Sequence, residues 1–305
     1  MGPPVYSTLA INLARSFARW NRFADISFHI ISDRPIDLPD DLKEVNIDIV
    51  EAGRYGTGFS PKLWLDELAP TPRTLFIDSD CLCFGPLMPV FSKFAGNPVA
   101  VIGQSLTQGE FFGEILSLRS KLGLASVPTF VGAVYYLEVG EISRSVYEGA
   151  RQLESRYDEL GLRRLRGVPN EEPLMALSMA GHGIAPVPDD GSIKADAMHY
   201  TRISGMNILQ GHARAESPMP GKLVPPTASP VIFHFNSHFT QGRYYWRECF
   251  RLEKVQRFGW NPRLATFLAY LRFDWPMRAR DLIKDLLRPL FRRVFGNRSV
   301  RDDGR

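Results

Sequence analysis

The 305-residue sequence predicts an α/β protein: a mixed, mainly parallel sheet with helices on both faces, followed by a helical, basic C-terminal tail. Three observations lead there. Short apolar runs that end in turn residues alternate with stretches of helical periodicity, the pattern of strand–helix–strand units. Hydrophobic residues make up 44% of the chain and charged residues 23%, enough apolar matter for a full core. No run of about 18 apolar residues offers a membrane span, and no basic segment followed by an apolar one opens the chain as a secretory leader would.

The elements follow in order. Leu9, Leu13, Phe17 and Trp20 recur at helical spacing, so residues 8–22 read as an amphipathic helix. Ile26 to Ser32 (ISFHIIS) and the alternating Val45 to Val50 (VNIDIV) read as strands. Pro61 to Leu68 reads as a helix with Ser60 as its N-cap and Pro61 at the first position. Leu75 to Ile77, Val99 to Ile102 and Val131 to Leu137 (VGAVYYL) read as further strands. Glu171 to Gly181 is a helix, Ile184 to Val187 a short strand, and Val231 to Phe235 (VIFHF) a late strand. Residues 217–230 hold five prolines and exclude regular structure.

Charge and cysteine usage narrow the function. The net charge is +4, but residues 272–305 carry ten Lys/Arg against five Asp/Glu, so the rest of the chain is close to neutral. A neutral fold with a basic tail argues against a nucleic-acid-binding core. Cys81, Cys83 and Cys249 are the three cysteines. A sparse, odd set without zinc-like spacing points to a reducing compartment.

The stretch TLFIDSDCLCFG carries the chemistry. Asp78 and Asp80 stand one residue apart at the end of an apolar strand, the edge of an α/β sheet where ligands bind. Two carboxylates cannot be buried side by side without a partner. A divalent cation supplies one: hard oxygen ligands suit Mg²⁺ or Mn²⁺, which keep positions open for a diphosphate. An isolated Asp-x-Asp is also common in solvated turns, and the strand in front is what favours the cation.

SPKLWLDELAPTPRTLFIDSDCLCFGPL resembles the central block of the GT-A-fold glycosyltransferases, nearest to the family 8 type, and the likeness extends over roughly residues 5–240. The resemblance implies a sugar transferred, with retention, from a nucleotide diphosphate donor to a hydroxyl of a glycan or lipid-linked saccharide acceptor. Lys62 then matches the basic donor-binding position, and Asp78 and Asp80 the metal-binding acids. PVIFHFNSHF resembles the segment bearing the third metal ligand, which makes His234 that ligand and His238 its fallback. A core histidine on an apolar strand is the plain alternative. The family's Gly and Lys-Pro-Trp after this histidine are not clear; Gly242-Arg243 stands nearest.

In VPNEEPLMALSMAGHGI, Glu171 matches the acid that hydrogen-bonds the transferred sugar and Glu172 the position beside the anomeric carbon. Asn170 as N-cap with acids in the first turn is also what a helix asks for by itself. PTFVGAVYYLE resembles the strand against which the donor sugar lies, with Gly132 and Ala133 as its small residues. Val131 replaces the family's Asn and leaves the sugar's identity open. Gly2 to Tyr6 resembles the nucleotide-binding loop, with Tyr6 stacking on the base, whereas the strand the family places before it is absent upstream.

The expected organisation is a catalytic domain over residues 1–250 and a helical appendage over 251–305. In that appendage Leu282, Ile283, Leu286, Leu287, Leu290, Phe291, Val294 and Phe295 form an apolar stripe, flanked by Lys284, Arg288, Arg292 and Arg293 and kinked at Pro289. Residues 272–296 suit the interface of an anionic membrane, and some bacterial relatives carry a comparable tail. The expectation is a cytoplasmic enzyme on the inner face of a membrane, with Mn²⁺ or Mg²⁺ as cofactor. Two alternatives stay open: a nucleotidyltransferase or nucleotide-sugar hydrolase with the same cation chemistry, and a non-catalytic carbohydrate-binding scaffold.

Overall fold

The computed structural model describes residues 5–280, 282, 283, 286 and 287. The chain divides into two compact units, Met1–Thr240 and Gln241–Arg305. In the first, α1 (Val5–Asn21) leads to the parallel pair β1 (His29–Ser32) and β2 (Asn46–Ile49). A 3₁₀ turn over Ser60–Trp64 runs into α2 (Leu65–Leu68), then β3 (Arg73–Ile77) and β4 (Cys81–Cys83). There follow α3 (Met88–Phe94), β5 (Val99–Ala100), β6 (Ile102–Leu106), α4 (Ile115–Leu122), β7 (Val127–Phe130) and β8 (Val134–Glu138). The unit continues through α5 (Glu141–Glu154), α6 (Glu171–Gly181), β9 (Val187–Pro188), β10 (Lys194–Asp196), β11 (Tyr200–Asn207), β12 (His212–Pro218), β13 (Thr227–Ala228) and β14 (Ile232–His234).

β8 is the hub. It lies antiparallel between β3 and β5. Its side chains alternate between two cores: Tyr135 and Leu137 join a cluster with α4, α5 and α6, and Val134 and Tyr136 join one with α1 and α3. Burial on both faces explains why Val134–Leu137 is an unbroken apolar run rather than an alternating one. α1 packs on the second core through Leu13 and Phe17 and pins β4 with polar groups: Ser16 Oγ accepts from the Cys83 N–H at 2.8 Å. A second three-stranded sheet, β10–β14–β4, brings the ends of strands distant in sequence together.

The sheet is mixed, but six of the paired ladders are antiparallel (β3–β8, β5–β8, β6–β7, β4–β14, β11–β12, β12–β13) and three parallel (β1–β2, β6–β9, β10–β14). The parallel share is smaller than the strand–helix alternation predicts, because β8 returns against both β3 and β5. Among the described residues, β1 pairs only with β2 and β3 only with β8, so each keeps one edge unpaired. Side chains of both strands line one cleft.

Several boundaries differ from expectation. Of the strand read over Val131–Leu137 only Val134–Leu137 is strand, within β8; Val131–Ala133 is the turn that separates it from β7. Val99–Ile102 likewise splits into β5 and the start of β6. Ser60 is not an N-cap. It is the first residue of the 3₁₀ turn, and its hydroxyl donates to Glu154 Oε1 at 2.5 Å, because the backbone follows the tighter helix from the start. The hairpin β11–β12 went unforeseen, and β12 runs into the proline-rich segment as far as Pro218.

The second unit holds α7 (Arg243–Leu252) and α8 (Pro262–Ala269), each running on into a π-helical turn. Both Asp274 carboxylate oxygens accept from the one Arg247 Nη1, at 3.0 and 2.9 Å, and Glu248 Oε1 accepts from Arg247 and Arg251. These charges are buried and pair with one another. Lys284, Arg288, Pro289 and the stripe from Leu290 to Phe295 lie outside the described residues.

Candidate active site

The turn between β3 and β4 is a local consequence of sequence. The Asp78 N–H donates to the Ala133 carbonyl at 2.9 Å, continuing the β3–β8 ladder by one residue. The Cys81 N–H then donates back to the Asp78 carbonyl at 3.0 Å and closes a tight turn over Asp78-Ser79-Asp80. The Asp80 carbonyl accepts the Phe235 N–H at 2.9 Å, which ties this turn to the end of β14. Asp78 and Asp80 thus leave opposite sides of one turn and enter two different clusters.

The first cluster gathers on Lys62. Its Nζ donates to Asp78 Oδ2 at 2.7 Å and to the Gly132 carbonyl at 2.8 Å, and lies 3.2 Å from Glu171 Oε1. Glu172 Oε1 accepts the Gly132 N–H at 2.8 Å. A Cβ at position 132 would stand 2.7 Å from both Glu171 Oε1 and the Tyr135 hydroxyl, so only glycine lets the backbone come this close. α6 delivers the two acids, with Asn170 as its N-cap accepting from the Glu172 N–H. That cap is one of the orphan-donor partners a helix start requires.

The second cluster gathers on His234. Its Nε2 is 3.2 Å from Asp80 Oδ1 and its Nδ1 is 2.6 Å from Asp196 Oδ1. Lys194 Nζ donates to Asp196 Oδ2 at 2.7 Å. The register explains the grouping: His234 on β14 faces Cys81 of β4 on one side and Asp196 of β10 on the other. Asp80, Cys81 and His234 bring one ligand atom each within 4.8 Å of one another.

Charge balance follows from these contacts. Burial opposes the Lys62 ammonium, yet Asp78 and Glu171 beside it outweigh burial and hold its pKa above the usual range. Burial lifts the Glu171 carboxyl, partly offset by Lys62, and lifts Glu172 to about 7 with the help of Glu171's charge. Burial also disfavours the His234 imidazolium, but the carboxylates of Asp196 and Asp80 raise it to about 9. Asp80 is held below the ordinary carboxylate range: burial would raise it, and His234 more than reverses that. The Cys81 thiol is pushed well up by burial and then by the nearby carboxylates.

Both clusters line a single cleft of ≈ 2230 Å³, together with Asn236 and with Tyr6 from the first turn of α1. Five buried polar atoms of residues lining this cleft have no hydrogen-bond partner among the described residues: the Tyr135 hydroxyl, Asn170 Nδ2, Glu171 Oε2, His199 Nδ1 and Asn236 Oδ1. Buried polar groups are normally satisfied, so such orphans mark where a polar ligand would bond.

No family model matches the chain and no curated protein does. Solved structures do match. They include the galactosyltransferase LgtC in complex with donor and acceptor sugar analogues, at 13% identity over 87% of this chain and 92% of that one, with a TM-score of 0.49. Apo GlyE of Streptococcus pneumoniae TIGR4 matches at 14% identity over 77% of this chain and 53% of that one, TM-score 0.45. Apo mouse xyloside xylosyltransferase 1 matches at 12% identity over 77% and 93%, TM-score 0.44. At such identities the roles of the residues rest on this chain's own geometry.

That geometry brings together Lys62, Asp78, Glu171, Glu172 and Gly132 in one cluster and Asp80 and His234 in the other. It does not bring Ala133 to the cleft: that side chain is 1% exposed and packs in the apolar core. Gly132 contributes its backbone N–H and carbonyl to neighbouring side chains. His238 lies stacked on Phe239, outside the cluster. Gly242 and Arg243 belong to the second unit, as N-cap and first residue of α7. Sequence reasoning missed Lys194 and Asp196. They stand two apart in SIKADA, hence on one face of a strand, and two opposite charges sharing a strand face are a legible sign of a buried pair.

Proposed function

We propose that this chain transfers a sugar from a nucleotide diphosphate donor to an acceptor hydroxyl, using Mn²⁺ or Mg²⁺. The observation that carries the reading is the convergence of Asp80 Oδ1 and His234 Nε2 to 3.2 Å in the cleft, beside the turn that also holds Asp78. Carboxylate oxygen with imidazole nitrogen is a donor set that suits Mn²⁺ better than Ca²⁺. The residues fit such an ion: Asp80 and His234 would hold it, and Asp78 stands two residues away on the same turn. When bound, the cation supplies the positive charge that a diphosphate leaving group needs.

The chain's own groups divide the remaining work. Lys62 spends its charge on Asp78 and Glu171, so it sets their geometry and lowers the cost of keeping both carboxylates in the cleft. Glu171, whose Oε2 has no hydrogen-bond partner, would accept from a sugar hydroxyl. Glu172, fixed by the Gly132 N–H, presents a carboxyl that titrates near 7 beside it and can hold or release a proton at working pH. Tyr6 offers a ring to a base at the cleft's rim. Retention of configuration is the stereochemistry the family resemblance favours.

The test is a panel of nucleotide sugars incubated with Mn²⁺ and simple glycan acceptors, with products resolved by mass and by the anomeric coupling in proton NMR. A glycosylated acceptor with free nucleoside diphosphate is expected. Nucleoside diphosphate with free sugar alone would make the protein a hydrolase, and released pyrophosphate a nucleotidyltransferase.

We also propose an anionic membrane surface as a partner of the second unit. Trp275, Leu282, Ile283, Leu286 and Leu287 are all more than half exposed, and the segment that carries them is basic. Apolar side chains among cations match an anionic bilayer surface. Among the described residues no helix is long and apolar enough to cross a membrane. The chain is expected to sediment with vesicles containing phosphatidylglycerol, less so at high salt. Equal recovery with neutral vesicles would remove this partner.

A further inference from the structure

We propose that Asp196 is a positioning residue for the cation site and that Lys194 sets how it works: the pair holds the Nδ1 proton of His234, leaving Nε2, beside Asp80, as the nitrogen that turns to a cation. This rests on the cation reading above. Asp196 lies on β10 in register with His234 on β14, and its side chain is 5% exposed. Its two oxygens have separate duties. Oδ1 is 2.6 Å from His234 Nδ1, and Oδ2 is 2.7 Å from Lys194 Nζ. A carboxylate only accepts, so the proton in the first contact sits on Nδ1. By the same rule Nε2, 3.2 Å from Asp80 Oδ1, donates to that oxygen in the cation-free protein; it is this proton that a cation displaces, while Asp196 keeps the other on Nδ1. A metal-bound histidine commonly has its other ring nitrogen held in this way, and the holder matters for affinity.

Lys194 makes the arrangement sensitive to a one-atom change. Its ammonium is 4% exposed and donates to Asp196 Oδ2 and, at 3.3 Å, to the Val131 carbonyl. His199 Nδ1, at 3.7 Å from Asp196 Oδ2, is too far to share that oxygen by a hydrogen bond. In Asp196→Asn one oxygen becomes an NH₂ group. The charged Lys194 competes for the remaining oxygen better than a neutral imidazole does. The NH₂ then faces His234 Nδ1, which must accept, and the remaining ring proton stays on Nε2, where it blocks a cation. In Lys194→Met/Asp196→Asn no ammonium claims the oxygen, so the amide turns and accepts from Nδ1–H again.

The experiment is calorimetric titration of the full chain with MnCl₂, without nucleotide sugar, for wild type, Asp80→Asn, Asp196→Asn and the double variant. Circular dichroism and thermal melting of the metal-free proteins check the fold. Wild type is expected to bind Mn²⁺, and Asp80→Asn to lose that binding. Asp196→Asn is expected to weaken it by about 10–100-fold, and the double variant to recover most of the loss. A merely structural pair predicts the opposite order, because the double variant has lost one more buried partner; a double variant no tighter than Asp196→Asn overturns the inference. Unchanged affinity in Asp196→Asn also overturns it and leaves the cation reading standing. Absence of Mn²⁺ binding in wild type, or full binding in Asp80→Asn, overturns the cation reading and this inference with it. If Asp196→Asn does not fold, the double variant is compared with Lys194→Met/Asp196→Leu, which lacks the acceptor. At least about 10-fold tighter binding by the former is then expected, and equal affinities overturn the proposal.

Discussion

Asp80→Asn is expected to cut turnover by about 10²–10³-fold or more while the fold stays intact, since it removes an anionic ligand from a site built to hold positive charge against a leaving group. The fold should survive because the structural duty of this residue belongs to its backbone: the Asp80 carbonyl accepts from Phe235 N–H, and the side chain is 20% exposed. Steady-state rates at several Mn²⁺ concentrations, with circular dichroism as the control, decide it. A variant that turns over as wild type does at every Mn²⁺ concentration would leave Asp80 without its proposed role.

Lys62→Met has the larger effect on stability. Lys62 Nζ is the shared partner of Asp78, the Gly132 carbonyl and the nearly inaccessible Glu171. Removing one partner of a buried ion pair costs about 3–5 kcal/mol, because the charge left behind has nothing to face. Melting should fall by about 5–15 °C. The sign of the pH effect identifies the cause. Burial already raises the Glu171 carboxyl with Lys62 present, and without it the carboxyl rises further. The folded variant then binds more protons than the unfolded chain above the ordinary carboxylate range, so its stability drops as pH rises from there and recovers on acidification. A melting deficit that stays constant over that range would mean that lost packing, and not an unpaired carboxylate, is responsible.

Legibility in the sequence followed the reach of each signal. α6 was read at its observed bounds because its start signal is local: Asn170 caps it and two acids fill its first turn. Asp78, Asp80 and Lys62 were legible as a cluster through the apolar strand and the resemblance around them. Their division into two groups was not, since it depends on β14 docking beside the turn from more than 150 residues away. Ala133 was misplaced because Val131–Leu137 is apolar without interruption, and nothing in composition marks the break that turns this side chain into the core. Lys194 and Asp196 passed unnoticed because each looks like a surface charge until the strand between them is seen buried on both sides. Five prolines in residues 217–230 argue against strands, yet the single proline of β12, Pro218 at its end, leaves the ladder intact.

The unpaired edges of β1 and β3 have a practical outcome for anyone handling the protein. Open strand edges recruit other strands, and natural sheets discourage this with lysines or prolines along the edge. His29–Ser32 and Arg73–Ile77 contain neither residue, and Leu75, Phe76 and Ile77 are only partly covered. Colloidal behaviour in concentrated stocks is thereby tied to two short backbone ribbons and not to the net charge, and an extended peptide laid along either would act as a solubiliser.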